Sequence, residues 1–350
     1  MIKKILKIVL LLAVLFGLYV GFWLVYGTLN DWQPEDIIEV VPNSLPKRIA
    51  DGHDSVFTFV TWNIGFAGLG AETSFFFDGG ETVTADEPIV RKNFRGILDF
   101  LDTQQKTDFI LLQEVDTSAK RSHDIQMVNA MDSVLSEHGT LFTSNFNVDY
   151  VPVPFTSPFG HCYSGLVTSS AFSNYFPERR AFSTEYDWPR RIFYLDRCFL
   201  KTQVPLQNGN DLIVINLHLS AYDRTGEMVS QQISELLDYA KDEYRKGNYV
   251  VIGGDWNQCP PTYEPKDLSL NYVEIMLTNE DIPEGWQWVA DPTTPSNRKN
   301  EKPYKRGETY TTVIDHFLIS PNLSVEDIHG IDLDFQYSDH QPVFMQVRLN

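Results

Sequence analysis

Residues 249–257 read Tyr-Val-Val-Ile-Gly-Gly-Asp-Trp-Asn: four strand-forming residues, then a turn that delivers a carboxylate and an amide. Tyr249–Ile252 has the apolar, β-branched content of a buried strand. Working outward, other short apolar runs carry polar residues at or beside one end. Phe57–Ile64 has Asn63 near its end, and Phe109–Leu112 runs into Gln113 and Glu114. Leu212–Leu219 contains Asn216 and His218, and Val313–Ile319 carries Asp315 and His316. Val343–Val347 follows Ser338, Asp339 and His340. A single polar strand end is ordinary. Six runs flanked by Asn, Glu, His and Asp read as a site built along one edge of a sheet.

Helical patterns lie between the runs. Pro88 suits a first helical position, and Val90, Phe94, Ile97, Leu98 and Leu101 follow at helical spacing. Met127, Ala130, Val134 and Leu135 form a second apolar face, stopped by Gly139. Val229, Ile233, Leu236, Leu237, Ala240 and Tyr244 form a third, closed by Gly247. Strands and helices mixed in this way predict an α/β or α+β domain over residues 55–350. Irregular stretches are expected at about 65–87, 143–164 and 260–312. The last holds Arg298, Lys299, Lys302, Lys305 and Arg306, a basic island.

The N-terminus has a different character. After Lys7, residues 8–27 carry no charge. At about 1.5 Å per residue they span a hydrocarbon core of roughly 30 Å. A cleaved signal peptide is the alternative, but Val25 and Gly27 offer only a poor cleavage site. Residues 1–27 are thus expected to be a membrane anchor, with Lys3, Lys4 and Lys7 on the cytoplasmic side and the body outside the cytoplasmic membrane. Residues 28–54, with Pro34, Pro42 and Pro46, read as a linker. The chain of 350 residues has net charge −19, and beyond residue 27 it holds 25 bases against 47 acids, or −22. So acidic a body excludes a generic nucleic-acid coat protein, though not an enzyme whose metal meets a phosphate locally. Cys162, Cys198 and Cys259 are scattered and fit neither a disulfide framework nor a zinc site.

In order, the polar strand ends are Thr61-Trp62-Asn63, Gln113-Glu114, Asn216-Leu217-His218-Leu219, Gly254-Asp255-Trp256-Asn257, Ile314-Asp315-His316 and Ser338-Asp339-His340-Gln341-Pro342-Val343. Each is weak alone. Together and in this order they resemble the endonuclease/exonuclease/phosphatase superfamily, over residues 55–350. The resemblance implies a four-layer α/β sandwich, with two packed mixed sheets between helices. It also implies divalent-metal-dependent cleavage of phosphoester bonds, with Mg2+ as the metal and Mn2+ as a substitute. Asn-x-His-Leu at 216–219 is typical of the deoxyribonuclease and sphingomyelinase branches. Tyr163-Ser164-Gly165 resembles instead the abasic-site endonuclease segment whose tyrosine faces the phosphate.

By the resemblance, Glu114 is the principal carboxylate ligand, Asn63 a carbonyl-oxygen neighbour, and Asp339 an acid near the metal. These are the oxygen donors a hard cation takes. His340 would accept a proton from the attacking water, with Asp315 holding its other nitrogen. Asp255 would position that water and Asn257 would bind a phosphoryl oxygen. His218 would donate to the phosphoryl group as its charge grows.

Blander readings stand beside these. His218 alone could be a core histidine, and Asp315 and Asp339 could be turn or cap residues. The basic island could be a solvated loop. Phe75-Phe76-Phe77 is expected in buried packing rather than on lipid, and Trp62 and Trp256 in the core. Three functions follow from the sequence. The first is a membrane-anchored phosphodiesterase acting on a phospholipid or sphingolipid headgroup. The second is an exported nuclease with the same residues. The third is a catalytically silent binding protein, disfavoured because no ligand or base is missing. No protein partner is expected.

Overall fold

In the structure, a computed structural model that describes residues 2–46, 55–173, 175–184, 186–221, 226–264 and 276–350, the apolar runs lie in two stacked sheets. One sheet has six strands in the order Leu323–Gly330 (β14), Val343–Leu349 (β15), Val56–Asn63 (β2), Phe109–Ala119 (β3), Gly160–Ser170 (β5) and Gly139–Val151 (β4). The other has seven: Ile37–Glu39 (β1), Tyr175–Ala181 (β6), Cys198–Pro205 (β7), Asp211–His218 (β8), Tyr249–Asp255 (β9), Asp315–Ile319 (β13) and Gln287–Val289 (β10). A short ribbon pairs Asn297–Arg298 (β11) with Thr311–Thr312 (β12). β2 with β3 and β8 with β9 are parallel, and both sheets are otherwise antiparallel, so each is mixed. Beside the sheets run helices Glu87–Thr103 (α2), Met127–Val134 (α3) and Glu227–Arg245 (α4), and Ile2–Leu29 forms α1.

The central strands are apolar on both faces because each face meets a different layer. Phe59, Phe109, Leu111, Val214, Val251 and Phe317 pack between the sheets. Their neighbours Ile213, Ile215, Val250 and Ile252 turn outward under α4. Ile110 and Leu112 turn outward under α2 and α3. Each such side chain contributes about 1.5–3 kcal/mol on burial. This is the four-layer sandwich that the family resemblance implies, and Trp62 and Trp256 are fully buried in it.

Four expectations need correction. Residues 143–164 are irregular only over 152–159, since β4 and β5 form a long antiparallel pair on either side of that loop. Thr, Ser and Asn interrupt the apolar alternation there, and pairing rather than hydrophobicity holds these strands. Gly139 does not stop α3, which ends at Val134; it opens β4 opposite Ser170. The stretch 28–46 is not a free linker. Within it β1 is the edge strand beside β6, and Asn43 N–H donates to Thr140 O at 2.8 Å. Residues 47–54, where linker and domain were expected to meet, lie outside the described residues. Finally, Phe76 and Phe77 are exposed rather than buried.

α1 has 28 residues, none of them buried, and is long and apolar enough to cross a membrane. It docks on the body through its C-terminal half. Trp23 stacks on Tyr150 at 4.0 Å, and Tyr26 Oη donates to Asp149 Oδ2 at 2.9 Å.

Candidate active site

The polar residues meet at the seam between the two sheets. Asn63 and Glu114 come from the ends of β2 and β3, and Asp339 and His340 from the turn before β15, all on the six-stranded sheet. His218, Asp255 and Asp315 come from β8, β9 and β13 of the seven-stranded sheet, where they are register partners: His218 faces Asp255 and Asp255 faces Asp315. Asn257 follows β9.

Local backbone features aim these groups. The register of β3 slips between Leu112 and Val115, and Glu114 takes φ +55° in that bulge. A bulge re-aims a side chain that a regular strand would send elsewhere. Gly254 lets β9 approach β8 closely, since a Cβ there would lie 2.1 Å from Leu217 O. Behind the site, Gln113 Nε2 donates to Asn216 Oδ1 at 2.7 Å. Asn216 Nδ2 reaches the carbonyls of Val167 (2.8 Å) and Leu112 (3.1 Å), tying the sheets together.

His340 Nδ1 lies 2.7 Å from Asp315 Oδ2, and His340 Nε2 is 3.7 Å from Asp255 Oδ2. Asp255 is also reached by Asn63 Nδ2 at 2.9 Å, by the Asn257 backbone N–H at 2.9 Å and by His218 Nε2 at 3.5 Å. Burial drives the Asp255 pKa up to about 6 against the charge of His340. Burial alone would depress His340, but the Asp315 and Asp255 carboxylates outweigh it and hold its pKa well above the ordinary histidine value. Burial, with Arg197 and His340 nearby, keeps His218 well below that value, hence neutral. The groups thus have their proton affinities driven apart, as an acid–base site requires. Asp255, Asp315 and His340 also bring ligand atoms within 4.8 Å of one another, an Asp-Asp-His cluster able to hold a metal ion.

Asn63, Glu114 and Asp339 form the second half. Glu114 Oε1 accepts from Asn63 Nδ2 at 3.2 Å, and Arg121 Nη1 stands 3.8 Å from Glu114 Oε2. Burial raises the Glu114 pKa, opposed by Arg121 and reinforced by the charge of Asp339. Glu114 and Asp339, two carboxylates of like charge close enough to raise one another, are oxygen donors that suit a hard divalent cation. Gly65 leaves room beside them, since a Cβ there would lie 2.7 Å from Asp339 Oδ1. Asn63 departs from expectation. Its Oδ1 accepts from Gly65 N–H at 3.0 Å, and its amide nitrogen, not its carbonyl, faces the carboxylates.

Tyr163 does not join the cluster. It is 39% exposed and packs its ring on Phe142. Asn257 donates its side-chain amide to Leu219 O at 3.0 Å.

Several residues not singled out in the sequence belong to the site. Asn297 Nδ2 lies 2.9 Å from His340 Nε2, a contact in which the amide donates only when the imidazole is neutral. Asn300 Nδ2 donates to Asp339 Oδ2 at 2.6 Å. Arg121 pairs with Asp116 (2.8 Å) under the ring of Phe66, and so holds a cation behind Glu114. Asn297 and Asn300 sit in a stretch without hydrophobic periodicity, which gave them no signal. Within the basic island two arginines are engaged by the protein itself. Arg298 is buried and donates to Leu69 O and Gly70 O, both at 2.9 Å, while Arg306 pairs with Asp332 and Asp334.

Two stacked mixed sheets with carboxylates, amides and histidines at their seam define a phosphoesterase fold with an Asp/His site. The chain belongs to the endonuclease/exonuclease/phosphatase family, whose model matches residues 60–340. That family hydrolyses phosphoester bonds and generally uses divalent metals. No curated protein matches the chain. Among solved structures it is similar to an endonuclease/exonuclease/phosphatase from Beutenbergia cavernae DSM 12333. The identity is 20%, the TM-score 0.59, and 85% of this chain and 72% of that one are covered. It is also similar to D. rerio TDP2 complexed with a single-strand DNA product (15% identity, TM-score 0.53, 84% and 100% covered). A family protein from Bacteroides vulgatus gives 12% identity, a TM-score of 0.53 and coverage of 85% and 100%. At these identities the likeness is one of fold.

Proposed function

We propose that the chain is a membrane-anchored, Mg2+-dependent phosphodiesterase acting on a phospholipid or sphingolipid headgroup. In this reading α1 is the anchor, its lysines are cytoplasmic, the catalytic domain of residues 55–350 lies outside, and Mn2+ can replace Mg2+. The observation that carries the hydrolytic part is the Asp315–His340 hydrogen bond, aimed at Asp255 and adjoining Glu114, Asn63 and Asp339.

Glu114 and Asp339 would hold the cation, with Asn63 beside them as a neighbour that orients Glu114. When bound, the cation supplies charge neutralisation for a phosphoryl oxygen and the leaving oxygen. The chain's own residues do the rest. Asp255 orients the attacking water through one carboxylate oxygen, while the Asn257 backbone N–H holds the other. His340 in its neutral form takes the water's proton on Nε2, and Asp315 stabilises the resulting imidazolium through Nδ1. His218, neutral at physiological pH, donates Nε2–H to the phosphoryl oxygen as its charge grows. Asn257 contributes its side-chain amide to the same group. Tyr163 has no part in this scheme.

The lipid half of the proposal is supported by α1 and its contacts with the body, and by the engagement of Arg298 with buried backbone carbonyls and of Arg306 with Asp332 and Asp334 at the surface, which takes both arginines out of a basic strip there. The test is to assay the full chain in detergent micelles, with Mg2+ or with chelator, and His340→Ala beside it. The panel holds sphingomyelin, phosphatidylcholine, plasmid, single-stranded DNA and a soluble phosphodiester. Lipid turnover that needs both Mg2+ and His340 is expected. Nucleic-acid turnover with the same dependence would replace the lipid reading with that of an exported nuclease. Activity untouched by His340→Ala would overturn the mechanism.

A further inference from the structure

The exposed aromatic side chains near the site are arranged as a path. Phe76 and Phe77, 41% and 42% exposed, lie on a one-turn helix, Phe76–Asp78. Phe77 meets Phe159 edge-on at 5.5 Å. Phe159 belongs to the loop joining β4 to β5, and its N–H bonds Val153 O at 3.1 Å. The same loop exposes Val153 (39%) and Phe155 (53%). Phe155 in turn meets Phe16 of α1 at 5.4 Å and Tyr19 at 6.1 Å. At 1.5 Å per residue those two positions lie about 15–20 Å from the C-terminal end of α1. Phe155 is therefore beside the apolar stretch of the helix, not beyond its end. Whatever medium covers α1 at Phe16 also covers Phe155.

The other end of the path reaches the site. Asp78 Oδ2 accepts from Asn300 Nδ2 at 3.1 Å, and the same amide nitrogen donates to Asp339 Oδ2 at 2.6 Å. One asparagine thus separates the aromatic turn from a carboxylate of the cluster.

We infer that Phe76, Phe77, Val153 and Phe155 form a lipid-docking rim, deepest at Phe155 beside Phe16, that enters the outer leaflet of the bilayer crossed by α1 and seats the mouth of the site at its surface. The inference rests on the anchor reading of α1. Its continuity with an apolar helix commits the rim to lipid rather than to a second protein. The charge of the body commits it to zwitterionic rather than anionic headgroups, since a −22 body is repelled by a negative surface. Lipid phosphates lie just outside the acyl region, at the level where an interfacial aromatic rim stops. A headgroup phosphodiester would then meet Asp339 and its neighbours without leaving the membrane.

The experiment uses the full chain in phosphatidylcholine nanodiscs. Single substitutions Phe77→Cys, Phe155→Cys, Val14→Cys and Asp327→Cys are each labelled with a thiol-reactive fluorophore. Cys162, Cys198 and Cys259 are buried and do not compete. Asp327 is on β14, at the opposite edge of the six-stranded sheet from β4, and serves as the reference. Each variant is first checked for a wild-type unfolding midpoint. Phosphatidylcholine carrying a nitroxide is then titrated in. At Phe77 and Phe155 quenching at least about threefold that at Asp327 is expected, as for groups in the interface. Quenching at Val14 together with Asp327-like values at Phe77 and Phe155 overturns the rim and leaves the anchor standing. Values at Val14 no higher than at Asp327 overturn the anchor itself. Quenching at the rim in a protein that hydrolyses only nucleic acid upholds the docking surface and removes the lipid substrate.

Discussion

The hydrogen bond from His340 to Asp315, 2.7 Å between Nδ1 and Oδ2, joins the two sheets of the sandwich. His340 stands in the turn before β15 of one sheet, and Asp315 opens β13 of the other. The site therefore exists only when the sheets are packed in register.

If His340 and Asp315 act as one unit, Asp315→Asn should lower kcat on a soluble phosphodiester by about 10²–10⁴, the range for loss of general acid–base assistance. Adding it to His340→Ala should cost little more, because residues that act together are not additive. Steady-state kinetics of the two single variants and the double variant would decide this. Losses that multiply would mean that the residues work separately.

Glu114→Gln should abolish the rise in unfolding temperature that Mg2+ produces. A ligand at 100 times its Kd stabilises by about 2.7 kcal/mol, and a neutral amide in place of the carboxylate removes that gain. Differential scanning fluorimetry with and without Mg2+ reads this with no substrate present. A variant that keeps the full shift would place the ion elsewhere, with the Asp255, Asp315 and His340 cluster as the next candidate.

Asn216→Leu should destabilise the fold by about 1–3 kcal/mol for each buried partner left unpaired, since Gln113 and the carbonyls of Leu112 and Val167 all lose a bond. Urea unfolding should show a lower midpoint. An unchanged midpoint would mean that the cross-sheet bonds are not needed to hold the seam.

His316 is buried, its ring stacked on Trp256 at 5.1 Å with an interplanar angle of 6°, and burial lowers its pKa to about 3. Unfolded, it titrates near 6.5. Between those values the unfolded chain binds the extra proton, so stability falls as pH drops from 6.5 toward 3. The slope is up to about 1.4 kcal/mol per pH unit for this one group. His316→Gln should flatten the difference in urea stability between pH 7 and pH 5 relative to wild type. An equally steep profile in the variant would assign the slope to other groups.

Much of the molecule was legible in the chain. Strands such as Tyr249–Asp255 announce themselves because burial on both faces demands unbroken apolar residues. Helices α2 and α4 do so because burial on one face demands a stripe. The polar ends Asn63, Glu114, His218, Asp255, Asp315 and His340 stood out against that background for the same reason. Long strands such as β4, rich in Thr, Ser and Asn, did not, because their stability comes from neighbours supplied by pairing. The sequence by itself determined which segments are buried and which polar residues the sheets would carry at their ends, since those follow from local periodicity. Only the tertiary structure decided that Tyr163 packs its ring on Phe142, that Asn297 and Asn300 join the seam, that Arg298 donates to backbone carbonyls, and that Phe77 and Phe155 line a path back to α1. Those are contacts between residues tens to hundreds of positions apart, and a local pattern carries no record of which distant surface a side chain will meet.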